Sequence, residues 1–102
     1  GPILTTADGM TLYLYTPDSP TAAACTGGCA TAWPPFTEAA VGGEGLDASL
    51  FGTVTRDDGS SQVTYGGHPL YLFTGDAAPG DVNGQGSGGV WFAVTADGAQ
   101  AG

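Results

Sequence analysis

The chain is poor in positive charge. Its 102 residues include no lysine, one arginine (Arg56) and one histidine (His68), against ten Asp and Glu residues, so the net charge is −9. Nucleic acid and anionic membrane surfaces bind clusters of Lys and Arg, so this composition argues against both partners. The acidity is typical of proteins that stay dissolved in an extracellular or salty medium, with cation binding as the alternative.

Long apolar runs are missing too. No segment approaches the roughly 20 residues of a membrane-spanning helix, so we expect no direct membrane insertion of this domain. Gly1-Pro2 is typical of the remnant of a removed tag, which leaves open an upstream export segment or lipid-attachment cysteine. Residues 3–102 are predicted to form a single β domain, because this length suits one core and 19 Gly and 7 Pro imply many turns.

Catalytic groups are scarce. A hydrolytic triad would have to use His68, and the serines at positions 60, 61 and 87 lack nucleophile-elbow spacing. His68 lies between Gly67 and Pro69, which favours a structural or surface histidine over a general base. We therefore predict that the protein is not an enzyme, with no catalytic residues.

The chain contains an internal duplication. Leu12-Tyr13-Leu14-Tyr15-Thr16 reappears as Leu70-Tyr71-Leu72-Phe73-Thr74, an offset of 71 − 13 = 58 residues. The same offset superposes Asp18 on Asp76, Trp33 on Trp91 and Met10 on His68. The two halves, about 8–38 and 66–96, are units so small that they are expected to be stable only when packed together. A shorter match, Thr6-Ala7-Asp8-Gly9 with Thr95-Ala96-Asp97-Gly98, suggests the start of a further unit.

Alternating β-branched and aromatic residues predict strands at 11–16, 69–74 and 90–95. An Asp-Gly turn predicts a hairpin of 52–56 with 62–65, continued by 69–74 into a three-stranded meander. A short helical turn is predicted at 30–33, ended by Pro34-Pro35, and another at 46–51. The predicted fold class is all-β, a small antiparallel sheet or barrel-like domain of two pseudo-equivalent halves with short helical turns.

The sequence contains two incomplete sets of metal ligands. His68 with Met10 and the two cysteines would form a soft-ligand set. Zinc, copper and haem sites need other ligands or spacings, so a plain Cys25–Cys29 disulfide is favoured over a metal site. Asp81, Asn83 and Gln85, followed by Gly86, resemble the opening of a calcium loop, and Asp76 lies just before them as a further candidate ligand. The twelfth position of that loop is Phe92 rather than a bidentate Glu, and Asp and Asn before glycine favour a tight turn without metal. We predict no cofactor, with calcium or copper as alternatives.

Six aromatic residues of the two halves are expected to lie together. They would form core, or, if partly exposed, a binding platform for sugars or an apolar partner; they are Tyr13, Tyr15, Tyr71, Phe73, Trp33 and Trp91.

The repeated residues carry a family resemblance. Tyr13, Tyr15 and Asp18, and again Tyr71, Phe73 and Asp76, spell a Tyr-x-aromatic-x-x-Asp motif, accompanied by Cys25-x-x-x-Cys29-Ala30-x-x-Trp33-Pro34-Pro35. This pattern resembles bacterial secreted-repeat lipoproteins, which are exported, often lipid-anchored, often in tandem and without an assigned activity. The resemblance implies a secreted or lipid-anchored protein at the outer face of a bacterial cell membrane.

With that resemblance we predict a Cys25–Cys29 disulfide, and that Asp18 and Asp76 are structural turn acids that accept hydrogen bonds from backbone N–H groups. The predicted function is a non-catalytic exported cell-envelope module for binding or structure, with an unknown envelope or extracellular partner and possible tandem neighbour repeats. The alternative is a metal-binding or redox accessory protein of the envelope.

Overall fold

The computed structural model describes residues 3–6, 8–18, 23–37, 41–42, 48–56 and 59–101. Within these ranges the chain forms short antiparallel strands, one α-helix and two 3₁₀ turns, so the all-β prediction is confirmed. The elements are β1 (Thr5–Thr6), β2 (Tyr13–Tyr15), α1 (Gly28–Ala32), β3 (Val41–Gly42), a 3₁₀ turn (Ala48–Leu50), β4 (Phe51–Thr55), β5 (Ser61–Tyr65), β6 (His68–Pro69), a second 3₁₀ turn (Ser87–Gly89) and β7 (Trp91–Ala93).

The predicted meander is confirmed as the three-stranded sheet β4-β5-β6. Its first turn is closed by a hydrogen bond from the Arg56 N–H to the Ser60 carbonyl, and Gly59 takes a positive φ of 86°. The Asp57-Asp58 part of that turn lies outside the described residues, as does Gly1-Pro2. The remaining pairs are β1 with β3 and β2 with β7, and the described strands do not close into a barrel.

The predicted strand 69–74 is wrong beyond Pro69. The backbone of this segment bonds five residues from earlier in the chain. Leu70 N–H donates to Val63, Tyr71 N–H to Tyr13, Leu72 N–H to Pro34 and Thr74 N–H to Ala32, and the Leu70 carbonyl accepts the Phe36 N–H. A continuous ladder with one neighbouring strand therefore cannot form. The segment instead links β2, β5 and the residues at the end of α1 through its backbone hydrogen bonds.

The helical predictions are largely confirmed. Helix α1 covers Gly28–Ala32, with Trp33 just after its last residue and Pro34-Pro35 beyond it, where helix hydrogen bonding cannot continue. The predicted turn at 46–51 is a 3₁₀ turn at Ala48–Leu50, and Leu46-Asp47 lie outside the described residues. Leu50 and Phe51 pack on the core, as expected.

The short repeat at the two ends of the chain has the same backbone geometry. Thr6 N–H donates to Met10 and Gly9 N–H to Thr6, while Thr95 N–H donates to Ala99 and Gly98 N–H to Thr95. The turn glycines have φ values of 92° and 88°. A second hairpin of the N-terminal type therefore follows β7.

The core contains two clusters of buried side chains. They lie on opposite sides of β2, because successive side chains of a strand point to opposite faces. The aliphatic cluster contains the buried residues Leu4, Leu12, Leu14, Phe36, Tyr65, Leu70 and Val94. The aromatic cluster contains Tyr13, Cys25, Trp33, Tyr71 and Trp91. Leu12 and Leu14 face one way and Tyr13 faces the other, and the aromatic side carries the candidate site.

Candidate functional site

Four aromatic rings form one continuous stack at the junction of the halves. Trp33 and Trp91 lie in its centre with centroids 3.9 Å apart and planes 3° from parallel. Phe73 stacks on the outer face of Trp33 at 4.1 Å, and Tyr15 stacks on Trp91 at 4.4 Å. The half-buried end rings are thus Tyr15 and Phe73, with two buried indoles between them.

Two tyrosines meet the stack edge-on. Tyr13 approaches Trp33 at 5.4 Å and 83°, and Tyr71 approaches Trp91 at 5.1 Å and 89°. Edge-to-face contacts of this kind are favourable because the positive ring edge faces the negative π surface. Each contact maps onto the other when 58 is added or subtracted, so the two halves are related by a pseudo-two-fold axis.

The backbone obeys the same symmetry at its centre. Tyr13 N–H donates to the Tyr71 carbonyl at 2.8 Å, and Tyr71 N–H donates to the Tyr13 carbonyl at 2.9 Å. The duplicated segments therefore pair with each other rather than each within its own half.

Different elements place the two tryptophans. Trp91 lies on β7 directly opposite Tyr15 on β2, and cross-strand neighbours are close enough for their rings to stack. Trp33 follows α1, whose last carbonyl, that of Ala32, accepts the Thr74 N–H and the Thr74 hydroxyl. This contact holds Trp33 over Phe73. The rings are equivalent although their secondary structure is not.

The first Tyr–Asp pair is fully hydrogen-bonded. Tyr13 Oη donates to Asp76 Oδ2 at 2.7 Å and accepts the Gly84 N–H at 3.2 Å. Asp76 Oδ1 accepts the Asn83 N–H at 2.9 Å. Burial, then the bond to Asp76, raises the pKa of Tyr13 well above its ordinary value of 10.0. Both partners of the Tyr13 hydroxyl, Asp76 and Gly84, thus belong to the other half of the chain.

The second pair, Tyr71 with Asp18, has the same placement but a different polar environment. Burial, then Asp18, raises the pKa of Tyr71 to about 12, and Asp18, Arg56 and Gln62 all lie close enough to its hydroxyl to affect that pKa. None of them meets the distance and angle of a hydrogen bond to it: within the described residues, Tyr71 Oη and Asp18 Oδ2 are buried without a hydrogen-bond partner.

Asp18 is anchored by its other oxygen. Asp18 Oδ1 accepts the Ala24 N–H at 2.5 Å. Burial raises the pKa of Asp18, and the Ala24 N–H, Tyr71, Arg56 and His68 act in the opposite direction. Both motif acids therefore accept a backbone N–H from the loop that follows them, at Ala24 in one half and Asn83 in the other.

Arg56 and Gln62 complete the second environment. Arg56 donates to Gln62 Oε1 at 2.7 Å and to the Cys25 carbonyl at 2.5 Å, and Gln62 Nε2 donates to the Leu70 carbonyl at 2.7 Å. Neither residue is among the site residues predicted from the sequence. The available signals were that Arg56 is the sole arginine and that Gln62 occupies an inward position of an alternating strand.

The six predicted aromatic residues are all brought together. Tyr13 and Tyr71 have no exposed surface, and Trp33 and Trp91 expose 7% and 5%. Only Tyr15 and Phe73 are half-buried. The cluster is core in its centre, and a binding role for its ends stays a prediction.

The predicted disulfide is confirmed. Cys25 and Cys29 are bonded, with a Cα–Cα distance of 5.2 Å, and Cys25 packs in the aromatic cluster. Gly27, at a φ of 59°, makes the bend before α1. The two cysteines are thus not thiol ligands of a soft-metal site.

In the candidate calcium loop, three carboxylate oxygens accept hydrogen bonds from protein donors. Asp76 is occupied as described above, and Asp81 Oδ2 accepts the N–H groups of Ala77 and Ala78. The Asn83 side chain donates to the Gly75 carbonyl. Among the described residues, no group of three or more His, Cys, Asp or Glu side chains is placed to hold a metal ion.

The other metal candidates, Met10 and His68, have different surroundings. Met10 lines a groove of about 230 Å³ with Asp8, Phe36 and Leu72. His68 is half-buried on β6, close enough to Asp18 to affect its pKa.

A family model described as a secreted repeat of unknown function matches residues 1–37 and 52–95. The chain belongs to this family of secreted repeats. The two matched segments end 95 − 37 = 58 residues apart, which is the offset of the duplication. No curated protein and no solved structure matches this secreted repeat. The family supports an exported protein, and no helix in the described ranges is long and apolar enough to cross a membrane.

Proposed function

We propose that this secreted repeat is a non-catalytic structural module of the cell envelope. Its Tyr-x-aromatic-x-x-Asp motif, together with Trp33 and Trp91, is the assembly lock, that is, the set of side chains that holds the two halves together. One observation carries the proposal: motif residues and tryptophans of one half contact those of the other half. Tyr13 bonds Asp76 across a sequence separation of 63 residues, and Trp33 stacks on Trp91. Such contacts bury the apolar side of each small unit against the other unit. Neither unit could bury that surface alone.

The burial of the motif supports the same proposal. Substrates and ligands need accessible side chains, whereas Tyr13, Tyr71 and both tryptophans are buried. Large buried aromatic rings contribute strongly to stability because they remove much apolar surface from water. A rigid exported module, lipid-anchored at the outer face of the membrane and followed by further repeats, would use its motif in this way.

The test is a double-mutant cycle on the central ring pair. We expect Trp33→Leu and Trp91→Leu each to lower the free energy of unfolding strongly, with a coupling of about 0.5–1.5 kcal/mol between them. Phe51→Leu is the matched control, because Phe51 contacts Tyr65 outside the stack. The measurement is urea unfolding of the four cycle members and the control, with resistance to proteolysis in parallel.

A ligand-binding or catalytic role for the motif gives a different result. Residues kept for such a role are commonly neutral or costly for stability. If both tryptophan variants unfolded at the same urea concentration as the parent protein, the assembly role would be wrong.

A further inference from the structure

We propose that the ring stack is a one-electron relay that moves an oxidising equivalent from the half-buried Tyr15 through Trp91 and Trp33 to Tyr13, with the Tyr13 proton moving to Asp76. The domain would then act as a sink for radicals of the peroxyl class at the cell surface. This role goes beyond the assembly lock and does not depend on it.

The first observation is the continuity of the route. Tyr15 stacks on Trp91 at 4.4 Å, Trp91 on Trp33 at 3.9 Å, and Trp33 contacts the edge of Tyr13 at 5.4 Å. Each step joins rings in van der Waals contact, so no step crosses saturated atoms or water. Indole and phenol are the side chains that lose one electron most readily, apart from thiols, and both cysteines are oxidised.

The second observation is the proton acceptor at the inner end. A phenol that loses an electron becomes a strong acid, so its oxidation is favourable only where a base takes the proton. Tyr13 Oη donates to the Asp76 carboxylate at 2.7 Å inside the protein. After the transfer, the Asp76 hydroxyl group can donate back to the phenoxyl oxygen, which also keeps the Gly84 N–H.

The electrons and protons balance as follows. A peroxyl radical accepts one electron from the outer end of the stack and becomes a hydroperoxide after taking a proton from water. The vacancy passes along Trp91 and Trp33 and is filled by an electron from Tyr13, whose O–H bond breaks as Asp76 takes the proton. The product is a neutral tyrosyl radical beside a protonated carboxyl group, and a small-molecule one-electron reductant restores both.

The duplication provides an internal control. Tyr71 contacts Trp91 edge-on at 5.1 Å, much as Tyr13 contacts Trp33, but its hydroxyl has no hydrogen-bonded carboxylate within the described residues. Both tyrosines can therefore exchange electrons with the stack. Asp18 lies near the Tyr71 hydroxyl without a hydrogen bond to it, so only Tyr13 has a hydrogen-bonded proton acceptor. The oxidising equivalent should come to rest on Tyr13.

The experiment is flash oxidation of the protein with photo-oxidised tris(bipyridine)ruthenium, followed by transient absorption and electron paramagnetic resonance. Tyr15→Phe is the background, because it keeps the outer ring and removes a phenol whose own radical would overlap that of Tyr13. The oxidising equivalent then enters at Trp91, and the tyrosyl radical reports the route from Trp91 to Tyr13. Tyr13→Phe, Tyr71→Phe and Asp76→Asn are compared in it, after thermal unfolding has shown that each variant is folded. The four tyrosines of the chain then reduce to Tyr13, Tyr65 and Tyr71.

We expect a tyrosyl radical in the background protein and in Tyr71→Phe, and a persistent tryptophanyl radical in Tyr13→Phe. Asp76→Asn should slow tyrosyl formation on the order of a hundredfold, the typical contribution of a positioned proton acceptor. If Asp76→Asn does not fold, a slower rate in D₂O for the background protein tests the same step. Equal tyrosyl yields in Tyr13→Phe and Tyr71→Phe, or a radical that stays on tryptophan in the background protein, would overturn the proposal.

Discussion

The two Tyr–Asp pairs occupy equivalent places and differ in how their polar atoms are satisfied. Tyr13 and Asp76 use both carboxylate oxygens and the hydroxyl in hydrogen bonds, whereas Tyr71 Oη and Asp18 Oδ2 have none within the described residues. The difference follows from one residue in each loop. In each loop a backbone N–H bonds the motif acid, from Asn83 in one and from Ala24 in the other. The next residue is Gly84 in the first loop and Cys25 in the second.

Gly84 lets its backbone approach closely. A Cβ at this position would lie 2.6 Å from the Trp33 ring and 3.1 Å from the Tyr13 ring, so only glycine lets the N–H reach the Tyr13 hydroxyl. Cys25 has a side chain, which packs in the aromatic cluster and bonds Cys29. One loop therefore comes close enough to hydrogen-bond the tyrosine hydroxyl. The other loop lacks that hydrogen bond and is held instead by the disulfide and by the Arg56 side chain, which donates to the Cys25 carbonyl.

The largest effect in this comparison is expected from Gly84→Ala. The added methyl group would overlap Trp33, and overpacking of this kind typically costs about 1–3 kcal/mol. Gly28→Ala is the matched control, because Gly28 lies in α1 with open space at its Cβ and should be neutral or slightly stabilising. Urea unfolding measures both, and equal stability of the two variants would contradict the close-approach explanation.

The next effect concerns the disulfide. Replacing Cys25 and Cys29 together by alanine should lower the free energy of unfolding by about 2 kcal/mol, because the closed loop is short. Adding a reducing agent to the parent protein should cause the same loss of stability. The same reducing agent should leave the stability of the double variant unchanged. A reductant-insensitive thermal midpoint of the parent protein would show that the loop does not depend on the bond.

The two motif acids should then respond unequally. Asp76→Ala leaves the Tyr13 hydroxyl and the Asn83 N–H without their acceptor and should cost roughly 1–3 kcal/mol. Asp18→Ala removes one amide acceptor and a carboxylate oxygen that is already unsatisfied, so its loss should be smaller. Thermal unfolding of both variants decides this, and a larger loss for Asp18→Ala would reverse the proposed difference.

The smallest effect is the dependence on pH. Because burial raises the pKa of Asp18, the folded protein holds this proton more tightly than the unfolded chain does. The resulting stability is fully present below the ordinary pKa of 3.8 and is lost as the pH rises through the raised value. Partial solvent screening should keep the gain below about 1 kcal/mol. Asp18→Asn should remove this pH dependence from a series of unfolding curves that runs from below pH 3.8 to neutral pH.

At the alkaline end both tyrosines act with the same sign. Their pKa values lie above 10.0 in the folded protein, so their contribution is intact below pH 10.0 and is lost as the pH rises further. Tyr71→Phe should raise the alkaline unfolding midpoint, because it removes a hydroxyl group that has no hydrogen bond. Tyr13→Phe, which removes two hydrogen bonds, should lower stability at neutral pH.

Much of the fold was predictable because local chemistry specifies it. The Asp-Gly turn and β-branched alternation indicated the meander, Pro34-Pro35 indicated the end of α1, and the Gly pair between the cysteines permitted the disulfide. The strand predicted through Leu70–Thr74 was wrong because its residues are strand-like in type but their backbone bonds five different residues from earlier in the chain. Such neighbours are not visible in local sequence.

The sequence by itself determined that two copies exist 58 residues apart and which side chains each brings: a tyrosine, a second ring, an aspartate and a tryptophan. Only the tertiary structure decided that Tyr13 bonds Asp76 of the other copy, since a pairing within each copy has the same local pattern. It also decided that Gly84 and Cys25 make the two environments unequal. The physical reason is distance along the chain. Tyr13 and Asp76 are 63 residues apart, and their contact forms only when the two copies pack together, which local sequence does not specify.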